Sequence, residues 1–146
     1  MKITCCITAL VLLSATAFAR IGETEAQIEN RYGRSASSFR STKRYLYKDL
    51  FIIITFDNGV SGLETYEKRN GTPMSAVEIR RLLKANGCGT KWHEPIRNGF
   101  EFLYNEKTRI VEYNAVTNTL TIAEYSALNR INARNQTLDT QKMKGF

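Results

Sequence analysis

An apolar run at residues 50–56 is the pattern around which the chain is organised. The run is apolar on both alternating faces and is rich in β-branched and aromatic side chains, which is typical of an interior strand with other structure over each face of its sheet. It is followed by Asp57 and then by Asn58-Gly59, two residue types that tolerate the positive φ of a tight hairpin turn. The pattern therefore predicts an interior strand that turns back into a second strand at residues 60–68.

Two segments carry both the periodicity and the end signals of helices. In the first, Thr24 and Gln27 have the spacing of a capping box, and Gly33 supplies the left-handed stop. In the second, Ser75 and Glu78 have the same spacing, an amphipathic pattern follows, and an Asn-Gly pair ends it. The sequence therefore predicts two amphipathic helices, one near the start of the chain and one in its middle.

Short alternating runs predict the remaining strands. Residues 45–47 predict a strand that leads into residues 50–56, and residues 100–104, 109–114 and 119–125 predict a three-stranded meander. The order of elements is thus a helix with its strands, followed by a second helix with its strands.

Two stretches are predicted to lack regular structure. Residues 34–42 are polar and serine-rich with Phe39 as the only anchor, which indicates a loop. Residues 129–146 are polar and mixed in charge, with widely spaced apolar residues, which predicts a flexible tail. A single folded domain is therefore expected to span residues 20–128.

This order of elements predicts an α+β fold in which two helices pack on one face of a mainly antiparallel sheet. The other face is expected to be partly open to water, as antiparallel sheets allow. Because the two helix starts are alike, the domain is interpreted as a degenerate tandem repeat of a helix followed by strands. The half-repeats are placed at residues 20–70 and 71–128.

The first 19 residues have the features of a cleaved secretory signal peptide. Lys2 precedes an apolar core at residues 7–13, and Ala17-Phe18-Ala19 has the small-x-small pattern after which signal peptidase cuts. The core is too short for a membrane anchor, since a bilayer requires about 20 apolar residues. Cleavage leaves 127 of the 146 residues, with no transmembrane segment, in the periplasm or outside the cell.

Charge and cysteine content limit the partners and the chemistry. Loss of Lys2 with the leader lowers the formal net charge from +7 to +6, and a basic surface favours anionic lipid, acidic wall polymer or an acidic protein. Nucleic acid is excluded as a partner because the chain is expected to be exported. Cys5 and Cys6 leave with the leader and precede its apolar core, so neither is placed for lipidation. Only Cys88 remains, and it has no partner for an internal disulfide.

The motifs of the chain resemble those of known envelope proteins. The start at residues 22–33 is similar to the G-x-T-x-x-Q start of small envelope domains, which include the lipoprotein subunit of the outer-membrane β-barrel assembly machine and the β-lactamase inhibitor protein. The whole chain resembles an uncharacterised family of secreted bacterial proteins with R-Y-G at 31–33, N-G-V-S-G at 58–62 and E-I-x-x-L-L-x-x-N-G at 78–87. The resemblance implies noncovalent protein binding in the cell envelope. The chain has no lipobox cysteine, and Arg34 stands where a proline often follows the first helix, so the assembly role is not carried over.

Candidate catalytic groups are few. Cys88 and His93 are five residues apart, and they could form a nucleophile and its base, a reactive thiol that pairs with another molecule, or an ordinary loop. One cysteine and one histidine cannot complete a zinc site, and no calcium-loop motif occurs. Two carboxylate pairs, Glu64 with Glu67 and Glu101 with Glu112, are expected on solvated strand faces. The sequence therefore predicts no catalytic residues, no cofactor and no metal.

The aromatic residues are the stronger candidates for function. Several tyrosines lie in predicted strands, and on the sheet face away from the helices they would form an amphipathic binding platform. The alternative is that tyrosine is simply a good strand former at half-buried positions. Trp92 follows the second helix and is either a contact residue or a plug in the core. The candidate binding residues are Tyr47, Tyr66, Tyr104, Tyr113, Trp92 and Arg109.

These observations predict an exported domain that binds an envelope or extracellular protein without catalysis. Its contact surface is expected on the open sheet face or on the loop at residues 87–95. The first alternative is a basic surface that binds anionic lipid or cell-wall polymer, and the second is a hydrolase that uses a cysteine or a carboxylate pair.

Overall fold

The computed structural model describes residues 20–88, 104–106 and 108–143. The leader predicted at residues 1–19 lies outside this part of the chain, as do Trp92, His93 and most of the strand predicted at residues 100–104.

An antiparallel sheet and three helices make up the described part of the chain. Its seven strands are arranged in the order β1-β2-β3-β4-β7-β6-β5, and every neighbouring pair is antiparallel. Along the chain the elements are α1 (Glu25–Tyr32), β1 (Ser37–Phe39), β2 (Thr42–Tyr47), β3 (Leu50–Asp57), β4 (Val60–Lys68), α2 (Ala76–Ala85), β5 (Tyr104–Glu106), β6 (Arg109–Asn114), β7 (Thr119–Glu124) and α3 (Tyr125–Met143).

The predicted interior strand and its hairpin are confirmed. β3 lies between β2 and β4, and Ile52 of β3 is opposite Tyr45 on one side and Tyr66 on the other. The turn into β4 has a φ of 51° at Asn58 and 82° at Gly59, so both central residues use the left-handed region.

Both predicted helix starts are confirmed. The Thr24 hydroxyl accepts a hydrogen bond from the Gln27 amide, and the Gln27 side chain accepts one of 2.9 Å from the Thr24 amide. Ser75 and Glu78 make the same reciprocal pair at the start of α2, where the Ser75 amide donates to Glu78 Oε2 at 2.6 Å. Each capping box satisfies two amide groups that have no partner within the helix.

The hydrophobic core lies between the sheet on one side and the helices α1 and α2 on the other. Residues from both helices pack in one cluster with the alternate residues of β2, β3, β4, β6 and β7, so α1 and α2 share one side of the sheet, which we call the helix side. This confirms the α+β class predicted from the sequence. The main members are Ile28, Tyr32, Tyr45, Ile52, Ile54, Tyr66, Ile79, Leu82, Leu83, Val111, Leu120 and Ile122.

The prediction of a flexible tail from residue 129 is wrong. The chain enters α3 at Tyr125 directly after β7 and remains helical to Met143, so Tyr125 is a helix residue and not the end of a strand. Ala127 and Ile131 are buried one turn apart and pack on the side of the sheet opposite α1 and α2. The polar composition of the segment concealed the helix because only this short apolar stripe contacts the sheet.

A glycine allows α3 to lie close to the sheet. A Cβ placed on Gly62 of β4 would stand 2.7 Å from Ala127 Cβ and 3.6 Å from Ile131 Cδ1. No side chain fits in this space without moving the helix. Gly62 lies beside a register shift between Thr55 and Phe56, where β4 carries the extra residue.

The segment predicted as a loop at residues 34–42 contains a strand. β1 pairs with β2 in the register Ser37↔Arg44 and Phe39↔Thr42, and all three residues of β1 are exposed. An exposed edge strand is held by backbone hydrogen bonds, so its polar side chains gave no alternating signal. The tandem repeat remains a prediction.

Candidate functional site

The predicted tyrosine platform is wrong, because the strand tyrosines that the structure describes lie on the helix side of the sheet. Tyr45 and Tyr66 are fully buried, and Tyr113 is 7% exposed, with its hydroxyl accepting a hydrogen bond from the Met74 amide. Tyr47 is partly buried against the core, and its ring lies edge-on to Tyr32 at 5.0 Å between centroids. These residues stabilise the helix layer.

The other candidate binding residues are described only in part. The backbone of Tyr104 pairs with Val111 in β5–β6, and its side chain is outside the described part, as is all of Trp92. Arg109 borders an open groove of about 380 Å³ at the end of α2, together with Arg20 and Lys84. Of the predicted set, the described side chains do not form one exposed site, because Tyr47, Tyr66 and Tyr113 pack in or against the core and Arg109 borders the groove at the end of α2.

The open face is the side of the sheet opposite α1 and α2. Within the described residues, α3 covers the part of this side that is near Gly62. The side chains of the open face alternate with the buried core residues along β2, β3, β4 and β7, and all of them are partly or fully exposed. They are Arg44, Leu46, Phe51, Ile53, Thr65, Glu67, Thr119 and Thr121.

An apolar pair bordered by charge forms the centre of the open face. Leu46 is directly opposite Phe51 and is 44% exposed. The Arg44 guanidinium lies 3.6 Å from the centroid of the Phe51 ring and also pairs with Glu67 at 3.0 Å. A cation stacked on an aromatic face and held by a carboxylate keeps its orientation, so this group presents a fixed surface.

Threonines form a band of hydroxyl groups beside the apolar centre. The hydroxyls of Thr42 and Thr55 lie 3.0 Å apart across β2 and β3, and those of Thr65 and Thr121 lie 3.3 Å apart across β4 and β7. Hydroxyl groups that donate and accept can adapt to the polar atoms of a partner.

A second feature, the hairpin groove, lies between the β1–β2 turn and α3 on the same side of the sheet. It is an open groove of about 240 Å³. Phe39, at 71% exposure, forms one wall, and Ile131 of α3 forms the other. The lining residues are Phe39, Arg40, Ser41, Thr42, Thr55, Ile131, Arg134 and Asn135.

A buried carboxylate fixes the α3 wall of the hairpin groove. Asp57 is 3% exposed at the end of β3, and its oxygens pair with Arg130 Nε at 2.7 Å and Arg134 Nη2 at 3.2 Å. Arg134 also lies 3.4 Å from the Phe56 carbonyl. The two arginines are half-exposed, so the same contacts that attach α3 also place positive charge at the surface.

A buried polar network lies on the helix side. The Tyr66 hydroxyl donates to Glu64 Oε2 at 2.5 Å and accepts from Asn86 Nδ2 at 3.1 Å, and Asn86 Oδ1 accepts from the Ile21 amide at 3.0 Å. Glu64 is fully buried. Burial raises the pKa of Glu64 to about 7, and the hydrogen bond from Tyr66 and the nearby Ser61 side chain reduce this effect.

Ser61 attaches the N-terminal segment to the sheet. Its hydroxyl accepts from the amides of Gly22 at 3.0 Å and Glu23 at 3.2 Å, and donates to the Arg20 carbonyl at 2.9 Å. Its own amide donates to the Glu23 carbonyl at 2.8 Å. The Asn86 contact to Ile21 adds a tie from the end of α2, so the network joins the segment before α1 to both layers.

The groups considered for catalysis are separated. Cys88 is 4% exposed, and its proposed partner His93 lies outside the described residues. Glu64 is buried on the helix side and not solvated as expected, whereas Glu67 lies on the open face, so the two carboxylates point to opposite sides of β4. Among the described residues, no group of three or more His, Cys, Asp or Glu could hold a metal ion.

The candidate features that the sequence did not reveal are the open face and the hairpin groove. Arg130 and Arg134 are four residues apart and share one helix face, a spacing visible in the sequence. Arg40 gave no signal, because the segment was not predicted to form a hairpin.

The comparisons with known proteins show no family for this chain. A comparison with protein-family models finds no match, and a comparison with curated protein sequences finds none at significance. The crystal structure of a cysteine-rich secretory protein from Staphylococcus aureus subsp. aureus Mu50 is similar with a TM-score of 0.46 and 6% sequence identity. The similar region covers 74% of this chain and 46% of that protein, so the chain spans about half its length. No helix in the described ranges is both long and apolar enough to cross a bilayer.

Proposed function

We propose that this protein is an exported domain that binds an envelope or extracellular protein noncovalently through the open face, without catalysis. The observation that supports this proposal is the pairing of Leu46 with Phe51, because these apolar side chains are bordered by the Arg44–Glu67 ion pair and by threonine hydroxyls. An apolar centre with a polar border is the usual composition of a protein-binding surface.

Two substitutions of equal chemistry test the proposed surface. Leu46→Ser removes an apolar side chain from the open face, whereas Val77→Ser removes one of 50% exposure from α2, away from this face. The immobilised protein and both variants are compared for capture of one identified envelope or extracellular protein, first selected by cross-linking to the wild type. We expect Leu46→Ser to weaken that capture about tenfold and Val77→Ser to leave it unchanged.

Salt dependence separates the protein-binding proposal from charge-driven adhesion. Capture through an apolar centre should persist between about 0.15 M and about 1 M salt, because screening acts on charges and not on apolar contacts. Equal capture of the partner by the wild type and Leu46→Ser would contradict the proposal. Loss of capture by the wild type at high salt would also contradict it.

Export supports the choice of an envelope or extracellular partner. The leader pattern at residues 1–19 predicts that the exported chain begins at Arg20. Mass spectrometry of the protein recovered outside the cytoplasm tests this, with an N-terminal peptide that starts at Arg20 as the expected result. A peptide that retains Met1 would contradict it.

The groove at the end of α2 favours a second candidate function, adhesion to an anionic lipid or wall polymer. Arg20, Lys84 and Arg109 border this groove, and the part of its lining that the structure describes contains no acidic residue. Co-sedimentation with phosphatidylglycerol vesicles tests this function. Lys84→Gln should reduce binding if the groove is used, and Lys48→Gln in the β2–β3 turn serves as the matched control.

A further inference from the structure

We propose that the hairpin groove binds an acidic segment of the partner protein in which an apolar side chain is flanked by carboxylates. This inference rests on the proposed function and specifies the chemistry of its partner.

The shape of the groove fits an apolar side chain. Phe39 and Ile131 face each other across it as apolar walls, and the hydroxyl pair of Thr42 and Thr55 lies at its base. A volume of about 240 Å³ accommodates one large side chain and a short length of backbone. Phe39 is the most exposed large apolar residue of those described, so a partner that covers it would gain a favourable free energy from burying its apolar surface.

The charge around the groove is positive and incompletely balanced. Arg130 and Arg134 share one carboxylate, that of Asp57, and Arg40 makes no ion pair within the described residues. No acidic residue is among the described residues that line the groove. Carboxylates of a bound segment would therefore meet the guanidinium groups of Arg40 and Arg134, which both line the groove, and guanidinium groups bind carboxylates in bidentate geometry.

Arg40 lies in the two-residue turn between β1 and β2, beside the exposed Phe39. Arg40 has a φ of 55°, in the left-handed region where glycine and asparagine are favoured and arginine is not. Its guanidinium lies 5.1 Å from the Phe39 ring centroid, so the charge stays beside the exposed aromatic wall.

The test uses short synthetic peptides and the full exported chain. The probe peptide carries one phenylalanine flanked by aspartates, and the matched peptide carries lysines in place of the aspartates. Titration followed by backbone amide NMR should shift residues at both walls of the groove, Thr42 and Asn135 among them, with the acidic peptide only. Shifts that lie elsewhere, or equal binding of both peptides, would overturn the proposal.

The variant Arg40→Asn separates binding from folding. Asparagine suits the left-handed turn better than arginine, so thermal stability should be equal or higher while affinity for the acidic peptide falls about tenfold. Arg81→Asn, on the exposed face of α2, is the control and should not change this affinity. If Arg40→Asn leaves the affinity unchanged, the proposal fails.

Two outcomes distinguish this inference from the proposed function. If Leu46→Ser loses binding of the identified partner and Arg40→Asn keeps it, the open face remains supported as the binding surface. The acidic-segment proposal would then be overturned. Preference of the Arg40 site for phosphatidylglycerol vesicles over the acidic peptide would overturn it in favour of a membrane partner.

Discussion

The Tyr66 hydroxyl donates a hydrogen bond of 2.5 Å to Glu64 Oε2, and both side chains are fully buried between the sheet and the helices. Burial raises the pKa of Glu64 to about 7, and it also raises the pKa of Tyr66 well above its usual value. Charged neighbours act from α1 and the segment before it, where Glu23 raises the pKa of Glu64 and Arg31 lowers it. The core therefore contains an acid that holds its proton at mildly acidic pH.

We expect Glu64 to reduce stability as the pH rises. The unfolded chain releases this proton near pH 4.5, whereas the folded protein keeps it until about pH 7. The stabilisation that protonated Glu64 gives the folded state is fully present below about pH 4.5 and is lost as the pH rises through about 7. The free energy of unfolding falls by up to about 3 kcal/mol over this range. Urea unfolding of the wild type and Glu64→Gln at about pH 5 and about pH 8 measures it, and the variant should gain relative stability at the higher pH. The same stability difference at both values would contradict the prediction.

Gly62→Ala should destabilise the protein by about 1–3 kcal/mol, since the added methyl group would overlap Ala127 of α3. Denaturant unfolding of single and double variants tests the cause. In an Ala127→Gly background the methyl group has room, so Gly62→Ala should cost clearly less there. An equal cost in both backgrounds would show that the contact with α3 is not the reason.

Asp57→Asn should weaken the attachment of α3 by about 1–3 kcal/mol, because a buried carboxylate that holds Arg130 and Arg134 becomes neutral. Glu67→Gln is the matched control, since its ion pair with Arg44 is exposed and should contribute less than about 1 kcal/mol. Helical circular dichroism combined with urea unfolding measures both variants. If both variants lost a similar amount of stability, Asp57 would not have the proposed role in attaching α3.

Cys88 should react with iodoacetamide at least about tenfold more slowly in the folded protein than in urea, because its side chain is 4% exposed. Mass spectrometry of timed samples gives both rates, and the urea-unfolded chain is the internal control. If Cys88 reacted with iodoacetamide at the same rate in the folded protein and in urea, its thiol would again be a candidate nucleophile.

The elements that the sequence predicted correctly are those with local signals. The capping boxes at Thr24 and Ser75 and the Asn58-Gly59 turn satisfy backbone groups within a few residues, so composition and spacing are sufficient. α3 had no such signal, because it is stabilised by contacts with residues far away in sequence, Asp57 and Gly62.

The open face could not be identified from the sequence because β3 is apolar on both sides. Ile52 and Ile54 face the core while Phe51 and Ile53 face outward, and nothing in their types distinguishes the covered side. The tyrosines were placed on the wrong side for this reason. The burial of Glu64 was also missed, although Tyr66, two residues along the strand, marks the same face and offers a hydroxyl donor.

Among the α3 side chains that the structure describes, none belongs to the main buried cluster between the sheet and the helices α1 and α2. α3 can therefore separate from the sheet in a sub-global opening that leaves that cluster intact. Amide hydrogens of α3 would then exchange with solvent sooner than those of the central strands, and each such excursion would enlarge the apolar area of the sheet that meets water.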